Sequence, residues 1–217
     1  MIFPELSGKK FGQINLNEYA NEWLTKNADR YKNEINPFVD QDLCQRVVDG
    51  LAQKMGVDFT YGGYMELRDT LFKGIPGDNF LHLGVDFFVP AGTQVASNVR
   101  AEVILIDDDS SLGGGWGPRV IVRPICGTDV LLYAHLDRNI TCKVGDVLKP
   151  RQVFASIGKR PYNGGWLPHL HVQAIDGDFF EELQKRSIHE LDGYVVPNDM
   201  SKLKIDFPNP MKYVRLM

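Results

Sequence analysis

From about Leu81 to Ile175, short apolar runs alternate with Gly, Pro, Asn and Asp. The candidate strands are 81–89, 94–97, 100–106, 119–123, 129–135, 153–157 and 169–175. Short strands at this spacing, each closed by turn residues, predict an antiparallel all-β unit. Four of the five histidines, His82, His135, His169 and His171, fall on or at the ends of these strands. Side chains alternate across a strand, so His82, Gly84, Asp86 and Phe88 should share one face, with Leu83, Val85 and Phe87 on the other. The same parity puts His169, His171 and Gln173 together. Two imidazoles two positions apart on one strand lie ~6–7 Å from each other, close enough to approach one small site.

The flanks read differently. Residues 1–60 read as helical. Leu16, Tyr19, Ala20, Trp23 and Leu24 recur at helical spacing behind Asn15 or Asn17 as a cap. Asn36-Pro37 breaks the pattern. A second helix is expected from about Asp40, with Leu43, Val47, Leu51 and Met55 on its buried face and Gly56 closing it. Tyr61–Tyr64 and Gly74–Asp78 are turn-rich. Residues 178–192 read as a C-terminal helix carrying His189 and ending near Gly193, and the tail with Pro197, Pro208 and Pro210 as an irregular wrap. The expected fold class is mainly β with helical flanks (α+β). It comprises an N-terminal helical flank over 1–78, a β domain over 79–176 with a groove across its antiparallel core, and a C-terminal helix and tail over 177–217.

Composition excludes several classes. The chain has 217 residues and a net charge of −4, so no nucleic-acid footprint is expected. No run of ~18 apolar residues suggests a membrane span. The opening residues lack the basic-then-apolar layout of a secretory signal. That points to the cytoplasm, or to the periplasm or exterior if a leader was removed. The three cysteines, Cys44, Cys126 and Cys142, are far apart and form no C-x-x-C pair. Three buried, small apolar residues in a reducing compartment is the expected role. Asp107-Asp108-Asp109 lacks the ligand ladder of a calcium loop and reads as a solvated turn.

Histidine nitrogen and aspartate oxygen are suitable donors for Zn²⁺, which in catalytic sites takes three protein ligands and keeps one position open. His82, Asp86 and one of the H-x-H pair would make such a set, leaving the other two histidines for proton transfer and oxyanion binding.

The order H-x-x-x-D, then Y-A-H-L, then H-L-H resembles the lysostaphin-type (LytM-like) zinc metallopeptidases. "HLGVDFFVPAGTQVAS", "GGGWG" (113–117), "YAHLDRNITCKVGDVLKPRQVFASIG" and "LPHLHVQ" are similar to that family's segments over about residues 79–175. The resemblance implies one zinc per chain on His82, Asp86 and His171, with His135 and His169 as the catalytic pair. It implies hydrolysis of peptide bonds, with a peptide or peptidoglycan-fragment substrate of stem or cross-link type. Two alternatives stand beside it: a cytoplasmic zinc amide hydrolase with a non-wall substrate, and a non-catalytic peptide-binding or regulatory module. Tyr64 is a candidate extra oxyanion donor, and Asn163, Gly164, Gly165 and Trp166 a candidate groove wall.

Overall fold

The structure, a computed structural model, describes residues 1–28, 38, 40–73, 80–109 and 115–216. Asn36-Pro37, the Gly74–Asp78 turn and Gly113-Gly114 lie outside the described residues, as does the side chain of His189.

The elements follow in order: β1 (Phe11–Ile14), α1 (Leu16–Lys26), α2 (Gln41–Met55), β2 (Phe59–Gly62), β3 (Glu66–Leu67), β4 (Leu81–His82) and β5 (Val85–Phe88). Next come β6 (Gln94–Ala96), β7 (Ala101–Asp108), β8 (Pro118–Pro124), β9 (Val130–Ala134), β10 (Val147–Leu148), β11 (Val153–Ser156) and β12 (Leu170–Ile175). The chain closes with α3 (Gly177–Arg186), β13 (Tyr194–Val195) and α4 (Met200–Asp206). Eight strands form the main sheet in the order β1-β2-β5-β12-β9-β8-β7-β10. All its pairings are antiparallel except β1 with β2. The fold is mainly β with helical flanks, as the strand spacing predicts.

Both faces of this sheet are buried. Val120, Val122, Leu131, Tyr133, Leu170 and Val172 face one core with Phe3 and Phe154. Ile121, Val130, Leu132, Ala134 and Ile175 face the other, against Phe180 and Leu183 of α3. A third cluster joins α1 and α2 to Phe88 and Leu167, the residues bordering the candidate site.

The helical flanks behave as their caps predict. Asn15 Oδ1 accepts from Glu18 N at the start of α1, and Asp40 caps α2, which Gly56 ends in the left-handed region. The buried face of α2 is rotated by about one residue from the expected one. Cys44, Val48 and Leu51 are buried, whereas Met55 is 45% exposed. A strict step of four drifts around a helix of 3.6 residues per turn, and the 4-then-3 spacing tracks the core.

The flank is not wholly helical. Residues 11–14 and 59–62 are strands that add to the edge of the main sheet. Each is too short for periodicity to separate from helix, and β-sheet pairing supplies their hydrogen bonds. The tail is likewise more ordered than a wrap: β13 pairs with β4, and α4 follows. Residues 178–192 form a helix only to Arg186, then a 3₁₀ turn over Ile188–Glu190. Asp107 and Asp108 end strand β7 rather than making a solvated turn, and they pair with Arg119 at 2.7 Å and Arg138 at 3.2 Å. All three cysteines are free thiols. Cys44 and Cys142 are buried, but Cys126 is exposed.

Candidate metal centre

Three adjacent strands of the main sheet place the core of the site. Asp86 on β5 stands opposite His171 on β12, and His171 stands opposite Ala134 on β9. His135 is the next residue after Ala134. His82 arrives by a different route. The strand expected over 81–89 is broken at Leu83-Gly84, so β4 joins β3 and β13 in a small separate sheet. His82 and Asp86 therefore do not share the face of one strand. In the small sheet His82 lies between Glu66 and Tyr194.

Gly84 sits at the break. A Cβ there would lie 2.4 Å from His171 Nε2 and 2.7 Å from the Val172 carbonyl oxygen. Only a residue without a side chain lets the backbone pass this close to the imidazole.

His82, Asp86, His169 and His171 are each at most 2% exposed. His171 Nδ1 is 3.0 Å from Asp86 Oδ1 and 3.1 Å from His82 Nε2. His82 Nε2 is 3.4 Å from the same carboxylate oxygen. Three ligands at ~2.0–2.1 Å from a tetrahedral ion stand roughly 3.3 Å apart, so this triangle has the size the ion requires.

The other nitrogen of each imidazole is tied down. His82 Nδ1 meets the Gly63 carbonyl at 2.9 Å, and His171 Nε2 meets Gln173 Oε1 at 3.0 Å. His135 Nδ1 meets the Asn163 carbonyl at 2.9 Å, and His169 Nδ1 the Leu167 carbonyl at 2.8 Å. An oxygen acceptor fixes the N–H on the nitrogen it faces and leaves a lone pair on the other. Two imidazole lone pairs and a carboxylate oxygen within this triangle repel one another unless a cation lies between them. The donor set thus fits a metal ion.

Burial sets the protonation states. It pushes His82 and His169 down to about 4, with the Arg68 cation adding to the effect at His82. Burial also lowers His135 well below the ordinary value, and His169 and His171 reinforce it. Asp86 is held well below the usual carboxylate range: burial opposes ionisation, but His82, Arg68 and His169 outweigh it. At neutral pH His82, His135 and His169 are neutral and Asp86 is an anion, the states that ligation and proton acceptance need.

The five residues open onto a cavity of about 700 Å³ walled by Phe72, Trp116, Gly164, Trp166 and Tyr194. Gly164 and Trp166 from the expected groove wall are there. Asn163 is fully buried behind it, holding Trp166 through Nδ2 and His135 through its carbonyl. His135 itself has φ +63°, a strained conformation maintained by Trp116 O, which accepts from its N–H, and Gly158 N, which donates to its carbonyl.

Residues 80–180 match peptidase family M23. Residues 80–180 are a peptidase family M23 domain. The chain is 32% identical over 111 residues to the glycyl-glycine endopeptidase ALE-1 of Staphylococcus capitis, covering 49% of this chain and 27% of that protein. An uncharacterized metalloprotease of Buchnera aphidicola is 32% identical over 102 residues, 47% of this chain and 25% of its own length. The chain thus spans about a quarter of the length of these relatives. The catalytic domain of lysostaphin from Staphylococcus simulans is 26% identical, with 70% of this chain and 97% of that one covered, at a TM-score of 0.45.

Tyr64 does not belong to the site around the M23 domain's histidines. Its hydroxyl donates to the Phe207 carbonyl at 3.0 Å, and its ring packs on the first core. A different tyrosine, Tyr194, lines the cavity. It was invisible in the sequence because β13 has two residues and no motif. Arg68 was missed for a similar reason. The run "MELRDT" carries no motif, yet the Arg68 side chain is fully buried beside Asp86. Gln173 had a signal: it shares strand parity with His171.

Proposed function

We propose that this protein is a zinc-dependent hydrolase of peptide bonds, acting on peptidoglycan stem or cross-link peptides. The observation that carries the reading is the buried His82–Asp86–His171 triangle with two neutral imidazoles, His135 and His169, beside it. The M23 match and the glycyl-glycine endopeptidase relative support the choice of bond and substrate. Zinc held by the triangle would supply a Lewis acid that polarises the scissile carbonyl and acidifies water.

The remaining chemistry belongs to the chain. His169 Nε2 lies 3.7 Å from Asp86 Oδ1, and the His135 and His169 rings are 4.1 Å apart. With each Nδ1 bound to a carbonyl, each Nε2 starts as a proton acceptor. Once one has taken a proton from the attacking water, it becomes an N–H donor. It can then hydrogen-bond the developing oxyanion and return the proton to the leaving amine. Trp166, with its ring 5.0 Å edge-on to His169, and Phe88, 6.2 Å away and stacked, fix the His169 ring.

The test is digestion of purified peptidoglycan fragments, read by mass spectrometry. Cleavage at a defined stem or bridge bond, abolished by a chelator and restored by zinc, is expected. Failure to cleave any stem or bridge would remove wall peptides as the substrate.

A further inference from the structure

Arg68 lies outside the M23 domain, in the segment that follows β3, and reaches the metal centre from there. Its side chain is fully buried. Nη2 is 2.8 Å from Asp86 Oδ2, Nη1 donates to Tyr194 Oη at 2.8 Å, and Nε is 3.6 Å from Glu66 Oε1. The rings of Trp166 and Tyr194 each lie 5.9 Å from Cζ. Gly63 leaves room for the group, since a Cβ there would stand 2.5 Å from Nη2. Elements on both sides of the M23 domain in sequence thus converge on one guanidinium.

Burying a cation beside a site built for a second cation is electrostatically unfavourable. The compensation lies in how Arg68 divides the Asp86 carboxylate. Oδ1 faces His171 Nδ1, His82 Nε2 and His169 Nε2. Oδ2 faces Arg68 Nη2 across a 2.8 Å ion pair and, among the described residues, has no hydrogen-bond partner of its own. A carboxylate whose two oxygens are both free can chelate a metal with both. One whose second oxygen is engaged by a fixed guanidinium offers a single oxygen.

We propose that Arg68 is a positioning residue that holds Asp86 as a one-oxygen ligand, keeping the centre at three protein donors with a position open for reactants. Tyr194 and Glu66 hold the guanidinium in place. This inference rests on the reading of His82, Asp86 and His171 as ligands.

The test loads the full chain with Co²⁺ and records its visible d–d spectrum, which is intense for a four-coordinate ion and weak at higher coordination. In the Arg68→Met variant, with circular dichroism confirming the fold, the band should weaken severalfold as Asp86 turns to use both oxygens. A spectrum that superimposes on the wild type would overturn the proposal. If Arg68→Met does not fold, Tyr194→Phe decides: it removes one anchor of the guanidinium and should weaken the band in the same direction, and an unchanged band there overturns the idea. His82→Ala separates the underlying reading. Loss of bound Co²⁺ supports the ligand set, and retention with an unaltered spectrum sinks both.

Discussion

His171 stands directly across the β5–β12 ladder from Asp86, and its Nδ1 reaches the Asp86 carboxylate at 3.0 Å. Strand register therefore fixes two corners of the proposed ligand triangle, while the third, His82, depends on the interruption of the strand at Leu83-Gly84. The corners should respond differently to mutation.

His82→Ala and Asp86→Ala are both expected to lose the metal, from about one ion per chain to almost none by elemental analysis. Their effects on stability should diverge. Asp86→Ala leaves the Arg68 cation buried without its closest partner, a change that costs roughly 3–5 kcal/mol. His82→Ala strands no charge and should cost less. Equal denaturant midpoints for the two metal-free variants would contradict the Arg68–Asp86 pairing.

His135→Ala and His169→Ala should keep the metal and lose activity by roughly 10²–10⁴-fold, the contribution typical of a positioned acid or base. Metal loss in both variants would mean that ligands and proton carriers have been exchanged.

Gln173 orients His171 through Nε2, the ring nitrogen that faces away from the triangle of donor atoms. Its replacement by Leu should weaken metal affinity by about 10–100-fold, measured by competition with a chelator. Unchanged affinity would show that strand packing alone orients the ring.

Gly84→Ala places a methyl group in van der Waals overlap with His171 and the Val172 carbonyl. Metal affinity and thermal stability should fall together. A variant with wild-type values for both would show that the backbone at Gly84 relaxes freely.

The metal-free protein should lose stability as pH falls from about 6.5 to about 4. The folded-state values of His82 and His169 are near 4, and His135 is also lowered. Unfolded histidines titrate near ~6.5. In that window the unfolded chain binds more protons, so acid favours unfolding. Asp86 acts in the same direction below about 4, because its folded carboxyl resists protonation. Midpoints recorded from pH 8 to pH 4 should stay level above about 7 and then decline. A level profile throughout would mean that these imidazoles are not buried neutral.

Much of the fold was legible locally. The alternation of short apolar runs with turn residues marked most of the strands of the main sheet, and Asn15, Asp40 and Gly56 marked helix ends. Strands β1, β2, β3, β10 and β13 escaped notice because two to four residues carry no period, and their hydrogen bonds come from partners outside the segment. The four site histidines and Asp86 stood out because imidazoles are scarce here and sit where strands begin and end.

The sequence by itself determined the donor types, their order, and the parity that sets His171 beside Gln173. Those properties follow from composition and from the two-residue repeat of a strand. Only the tertiary structure decided that His82 approaches from a separate sheet, that Tyr194 rather than Tyr64 lines the cavity, and that Arg68 pairs with Asp86. These depend on contacts between residues far apart in the chain, and local pattern carries no information about which distant charge will neutralise a buried carboxylate.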